Sequence, residues 1–323
     1  MSGRRRFLAG ASALALGSLL PRRALAAGDT YALFSLNVQD FSYPDLSFGL
    51  VERALELHES LGVPCDVYLT TTQADLFASQ APALLERLRV SPLATVCYHT
   101  RPPKPYHTDY DWLGLAGWSS ADQYALIYGY ETHGLDLVSG APTAAAGGYA
   151  HLADLLGYRP PAVGILADAE LQAVTDTVFR DLGATFGVVH GRVANLGEKR
   201  NGLYVRPEHV DLRLFEHLGR DVGTLLAEAI AEARAARGAR PPYVVGIKMH
   251  DNDFFAEDSA WLTVYLNGGT RRPPWDPTRK SPLLGASEQA DIWTLYESMV
   301  RLVAAARGQI TAVGCRGLLP LLS

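Results

Sequence analysis

Between residues 30 and 99 three apolar runs alternate with two helical stretches, and this alternation narrows the fold more than any other feature of the chain. Thr30 to Val38 carries the aromatic and aliphatic residues of a buried strand. Asp45 or Ser47 caps a helix through Leu61, with Leu50, Val51, Ala54, Leu55, Leu57 and Leu61 at helical spacing and Gly62 at its end. Pro64 to Leu69 reads as the next strand, Pro82 to Leu88 as a helix and Ala94 to His99 as a third strand. An order of β-α-β-α-β builds parallel strands joined by right-handed crossovers.

Further along, residues 100–118 form a loop rich in proline and aromatic residues. A helix is expected from Ser119 to Tyr130, and Ser139 to Gly148 reads as a flexible small-residue stretch. Helices near Tyr149–Leu156, Ala169–Leu182, Val222–Arg237 and Ser287–Ala306 alternate with strands at Ala162–Leu166, Thr185–His190, Leu212–Phe215, Tyr243–Met249 and Gln309–Val313. Residues 191–207 read as an excursion and 251–285 as a long insertion. The 323 residues, 48% of them hydrophobic, suffice for one large core, and no linker divides the chain. The expected fold is α/β: an irregular (β/α)7-8 barrel of mostly parallel strands, a single domain over residues 27–323. A doubly wound open sheet is the alternative.

Residues 1–26 read as an export signal. Arg4-Arg5-Arg6-Phe7-Leu8 precedes an Ala- and Leu-rich run, and Ala24-Leu25-Ala26 offers a cleavage site. The paired arginines resemble a twin-arginine signal, which implies a periplasmic or extracellular protein with no stable membrane insertion after signal removal. These residues hold five of the 29 basic residues and none of the 34 acidic ones, so 24 basic residues face 34 acidic ones in the mature chain, a formal charge near −10. Such a balance argues against nucleic acid as a partner. Cys65, Cys97 and Cys315 lack metal-site spacing and read as small buried hydrophobes, with a disulfide between two of them left open.

The chemistry gathers where apolar runs end. Tyr243-Val244-Val245-Gly246-Ile247-Lys248-Met249 opens onto His250-Asp251-Asn252-Asp253, Leu33 to Val38 onto Gln39-Asp40, and Ala94 to Tyr98 onto His99. In a barrel the C-terminal strand ends share one rim, so Asn37, Gln39, Asp40, His99 and His250 meet there. One carboxylate and two imidazoles suit a borderline divalent metal such as zinc, which polarises a carbonyl and acidifies bound water. Asp251 and Asp253 are placed to orient His250 or to move a proton.

On these residues the chain resembles the polysaccharide deacetylase superfamily, whose catalytic domain is an irregular (β/α)7 barrel. Many members end their first strand in Asp-Val-Glu-Asp, the first Asp a base and the last a metal ligand. Here Asn37-Val38-Gln39-Asp40 keeps the ligand position and puts Asn37 at the base. The second motif, His-Ser/Thr-x-x-His, is matched by His99-Thr100-Arg101-Pro102-Pro103, where Pro103 replaces the second His and His107 substitutes only if the loop folds back. Arg159-Pro160-Pro161 is similar to an Arg-x-Pro segment, and His250 matches a late strand-end His. The resemblance implies Asp40, His99 and His250 as metal ligands and hydrolysis of an acylated glycan. An Asn accepts no proton at neutral pH, so either Asp251 or Asp253 serves as base or the barrel binds saccharide without chemistry.

Arg101, His107, Trp112, Arg159 and Trp261 complete the candidates, as substrate-binding residues. Aromatic loop residues stack on sugar faces, although tryptophans in long loops also anchor loops. The expected function is therefore an exported metal-dependent deacetylase of an acylated glycan. The alternatives are an inactive saccharide-binding barrel and a metal-free glycosidase that pairs Asp40 with Asp251 or Asp253.

Overall fold

The structure is a computed structural model describing residues 28–100, 111–165, 167, 169–188, 194–238, 240–266 and 271–322. The export signal, Arg101 and His107 lie outside the described residues. Strands β1 (Thr30–Val38), β2 (Cys65–Leu69) and β3 (Ala94–His99) come first, followed by β4 (His133–Leu135), β5 (Pro142–Ala146) and β6 (Ala162–Gly164). Then come β7 (Phe186–Val188), β8 (Lys199–Arg200), β9 (Leu203–Val205), β10 (Val210–Arg213), β11 (Tyr243–His250) and β12 (Thr311–Ala312).

The main sheet runs β10-β11-β1-β2-β3-β6-β7-β9-β8, with β12 beside the start of β1. Every neighbouring pair is parallel except β8 with β9. The sheet curls into a half-barrel, and residues 206–209 cross between its two sides. Arg206 N–H donates to Gly187 O on β7 at 3.0 Å, and His209 N–H donates to Val244 O on β11 at 2.9 Å. His209 Nδ1 then accepts the Val244 N–H at 2.8 Å, so an imidazole stands in for strand backbone. The expected single α/β domain built as an irregular barrel is what the chain forms.

Side-chain alternation sets the register. Phe34, Leu36 and Val38 face outward into the main apolar layer with Val51 and Leu55 of helix Pro44–Leu61 and with Met299 and Val300 of helix Ala286–Ala305. Leu33 faces inward with Tyr68, Cys97, Phe186 and Val244. A slip of one residue would bring Ser35 and Asn37 into the outer layer and lose roughly 1.5–3 kcal/mol for each displaced large side chain.

Local departures have local causes. The stretch read as flexible forms β5, which pairs antiparallel with β4 as a separate hairpin. Thr70 caps an additional helix, Thr71–Gln80, its hydroxyl accepting the Gln73 N–H. The strand expected at Leu212–Phe215 starts earlier, as β10, and gives way to a 3-10 turn at Leu214–His217. No helix among the described residues is long and apolar enough to cross a membrane.

Candidate functional site at the strand C-termini

Parallel strands deliver Asn37, His99 and His250 to one rim, and β1–β11 register sets Asn37 directly beside His250. Beyond β11 the chain turns sharply, and Asp251 ties the turn to the loop after β1. Its Oδ1 accepts the N–H of Gln39 at 3.1 Å and of Asn252 at 3.0 Å; its Oδ2 accepts from Asp40 N–H at 3.0 Å and Ser47 Oγ at 2.8 Å. Burial and the charge of Asp40 push the Asp251 carboxyl up to about 7, against the pull of these donors. A carboxylate enclosed in this way holds loops together, and the expected proton-transfer role for Asp251 does not fit its fully buried position.

Asp253 is the acid that touches the rim imidazole. Its Oδ2 accepts the His250 backbone N–H at 2.7 Å and lies 2.9 Å from His250 Nδ1. The carboxylate fixes the proton on Nδ1, so the neutral ring offers Nε2 as an acceptor. His99 is arranged similarly: Nδ1 donates to the Thr100 carbonyl at 2.5 Å. Gly164 on β6 makes room for this ring, since a Cβ there would lie 3.1 Å from it.

His99 opens onto a cavity of about 250 Å³ between the ends of β2 and β3 and the β4–β5 hairpin. Thr70, Thr71, Tyr98, His133 and Trp261 share its walls, while His250 lies outside the lining. Trp261 is buried edge-to-face against Phe41, ring centroids 4.9 Å apart, and its buried indole N–H has no partner among the described residues. Threonine hydroxyls, two imidazoles and one indole share the wall with Leu135, Leu137, Ala145 and Ala146, the mixed polar and apolar lining of a small-molecule cleft.

The other expected residues fall elsewhere. Asp40 is completely buried, with Oδ1 accepting from Ser42 N–H at 2.9 Å and Ser42 Oγ at 2.5 Å, and Oδ2 from Ala260 N–H at 3.1 Å. It caps its own turn and the entry to the segment carrying Trp261. Accordingly Asp40, His99 and His250 do not gather their donor atoms: among the described residues the one group of three or more lying within 4.8 Å is Asp66, Cys97 and Cys315. The rim residues described do not fit a divalent ion, because no three of their His and Asp side chains bring donor atoms within 4.8 Å of one another. The glycosidase pairing of Asp40 with Asp251 fails too, since both are buried and hold backbone N–H groups.

Arg159 precedes β6 and packs on Gly183, so it belongs to the N-terminal ends of the strands, opposite the rim. Trp112 packs 5.3 Å from Trp275 in an aromatic cluster that anchors its loop. Tyr98, Thr70 and Thr71 carry no candidate role in the sequence, and His133 reads there as structural or exposed. Three of them follow or end strands β2 and β3, a position that signals a rim residue; His133 reaches the cavity through a hairpin that carries no such signal.

Fold and rim together define an α/β barrel with a cleft at the strand C-termini. No protein-family model matches the chain, and no curated protein sequence matches it. A solved structure of 4-alpha-glucanotransferase from Thermococcus litoralis is similar over 90% of this chain at 13% identity and TM-score 0.50, and the chain spans 40% of that protein. A peptidoglycan deacetylase from Bacillus subtilis aligns over 91% of this chain and 92% of its own at 9% identity and TM-score 0.39. A peptidoglycan N-acetylglucosamine deacetylase aligns over 93% and 89% at 12% identity, also at TM-score 0.39. The first likeness supports the barrel architecture.

Proposed function

We propose that this chain is an exported carbohydrate-active hydrolase that removes ester-linked acyl groups from a glycan. The observation that carries the reading is the His250–Asp253 pair on the same strand-end rim as the cleft lined by His99 and Trp261. Asp253 holds Nδ1, and Nε2 takes a proton from water as it attacks the acyl carbon. An imidazole base without a complete metal site among the described residues suits an ester better than an amide, because an alkoxide leaves more readily than an amine. His99 and Trp261 line the cleft that takes the sugar. The threonine, histidine and tryptophan side chains of the cleft support a glycan as ligand, and a 4-alpha-glucanotransferase is among the proteins of similar architecture.

Acetate release from O-acetylated xylo-oligosaccharide by the purified mature chain tests this, with N-acetylated chito-oligosaccharide in parallel. The expected result is release from the ester, reduced about a hundredfold or more in His250→Ala. Asn37 at the rim and Asp40 turned into the fold favour a second reading, a saccharide-binding barrel without chemistry. Saccharide binding without acetate release from either oligosaccharide establishes that second reading. Acetate release unchanged by His250→Ala defeats the first.

A further inference from the structure

A second cluster of reactive groups lies inside the barrel, beneath the rim. Asp66 on β2, Cys97 on β3 and Cys315, which follows β12, are all buried and bring an oxygen and two sulfurs within 4.8 Å of one another. Cys315 is joined to Asp66 by its backbone N–H at 2.9 Å to Oδ1 and by its Sγ, which donates to Oδ2 at 2.9 Å. The Tyr68 hydroxyl is 3.8 Å from Cys315 Sγ. Arg206 sends Nη1 to within 3.8 Å of Asp66 Oδ2, and its buried Nε has no partner among the described residues.

Apolar packing does not account for this arrangement. The surrounding side chains Leu33, Phe186, Val244 and Leu318 form a hydrocarbon floor in which an Asp and an Arg are costly to bury. Two thiols placed beside that Asp supply what a soft cation takes. Ligand atoms about 3.3–3.8 Å apart surround a tetrahedral ion with bonds of about 2.0–2.3 Å, so a group already within 4.8 Å closes on one by small side-chain rotations.

We propose that Asp66, Cys97 and Cys315 bind a thiophilic divalent cation of the zinc class, which fastens the C-terminal segment into the barrel floor. Binding forms two metal–sulfur bonds and one metal–oxygen bond and releases the two thiol protons to solvent. Two thiolates and a carboxylate on a dication leave one negative charge, which the Arg206 guanidinium faces. The Tyr68 hydroxyl or a water fills the fourth position. Two strands and the segment after β12 each give one ligand, so the ion joins parts of the chain 249 positions apart. This inference does not depend on the rim chemistry.

The purified mature chain, stripped and reloaded with Co(II), provides the test. Thiolate ligation gives an intense sulfur-to-cobalt charge-transfer absorption that His and Asp ligands at the rim do not produce, so the two regions are told apart in the wild-type protein. The expected result is that band, together with about one zinc per chain retained through dialysis. Zinc content should fall at least tenfold in Cys97→Ser and Cys315→Ser and persist in His250→Ala. Absence of the charge-transfer band in folded wild-type protein overturns the proposal. So does a Cys97–Cys315 disulfide in the purified chain, or zinc retained equally by the cysteine variants.

Discussion

Asp253 grips His250 twice, through the backbone N–H at 2.7 Å and through ring Nδ1 at 2.9 Å. Both contacts use the same oxygen, so the carboxylate fixes the imidazole's orientation and its tautomer together. Asp253→Asn keeps the shape but permits the amide to present its N–H₂, which favours the wrong tautomer. On the proposed hydrolysis, kcat should drop about a hundredfold with KM little changed, because the cleft lining is untouched. Steady-state kinetics on O-acetylated xylo-oligosaccharide measures both, and a variant that changes KM alone removes the pair from the chemistry.

Asp251 makes a separate prediction, about stability. Its folded-state carboxyl, near 7, lies above the ordinary value of 3.8, so the native chain keeps a proton that the unfolded chain gives up across that interval. Its contribution is full below the ordinary value and is lost as pH rises through 7, by up to about 4 kcal/mol. Burial holds His58 and His209 near 4, and they act with the opposite sign: the unfolded chain takes up their protons first, and stability rises with pH. The comparison is therefore wild type against Asp251→Asn in urea unfolding at several pH values. The variant should be less stable at pH 4, where it loses acceptors for buried N–H groups, and the difference should shrink toward pH 8. A difference independent of pH would mean that Asp251 is ionised throughout.

The shared rim could be read from sequence because parallel strands all end on one side, and Asn37, His99 and His250 sit on or at the ends of clean apolar runs. What spacing does not encode is where a side chain points once the strand stops. Asp40 stands two residues beyond Val38, past the alternation, and its turn aims the carboxylate at Ser42 and Ala260. Arg159 reads as a rim residue only if β6 precedes it; it comes before β6 and lies at the other end. β5 leaves little trace in the sequence because proline and alanine are weak strand formers, and its Pro142–Ala146 run is held by pairing with β4 alone. Arg206 and Glu208 sit in or beside what reads as a surface excursion, yet both are buried and paired at 2.8 Å. Cys97 and Cys315 each look like a lone hydrophobe, and only the folded chain brings them together.

Trp261 offers a conservative probe of the cleft. Its ring packs on Phe41, whereas its buried N–H has no partner among the described residues. Trp261→Phe retains most of the packing and deletes the donor. Unfolding free energy should change by less than about 1.5 kcal/mol, while saccharide affinity should weaken about threefold to tenfold as the smaller ring gives up contact at the cleft wall. Isothermal titration calorimetry with xylo-oligosaccharide reads the affinity, and unchanged binding would place the ligand away from this wall.

Gly246 tests the closure of the barrel by residues 206–209. It lies on β11 between Val244 and Lys248, facing inward, and Glu208 rests against it: a Cβ at this position would run into Glu208 Oε1. Glu208 cannot retreat freely, because its other oxygen holds Arg206 Nη2 at 2.8 Å and Arg206 also reaches Ser35 Oγ at 2.6 Å. Gly246→Ala should therefore destabilise the chain by about 1–3 kcal/mol through overpacking, more than an alanine in a strand would otherwise cost. Shortening the acid by one methylene relieves the contact, so Glu208→Asp should recover part of that loss in the double variant although it weakens the wild type. A double-mutant cycle on urea midpoints measures the coupling, expected at about 0.5–3 kcal/mol in the favourable direction. Strict additivity would show that the crossing segment does not press on β11.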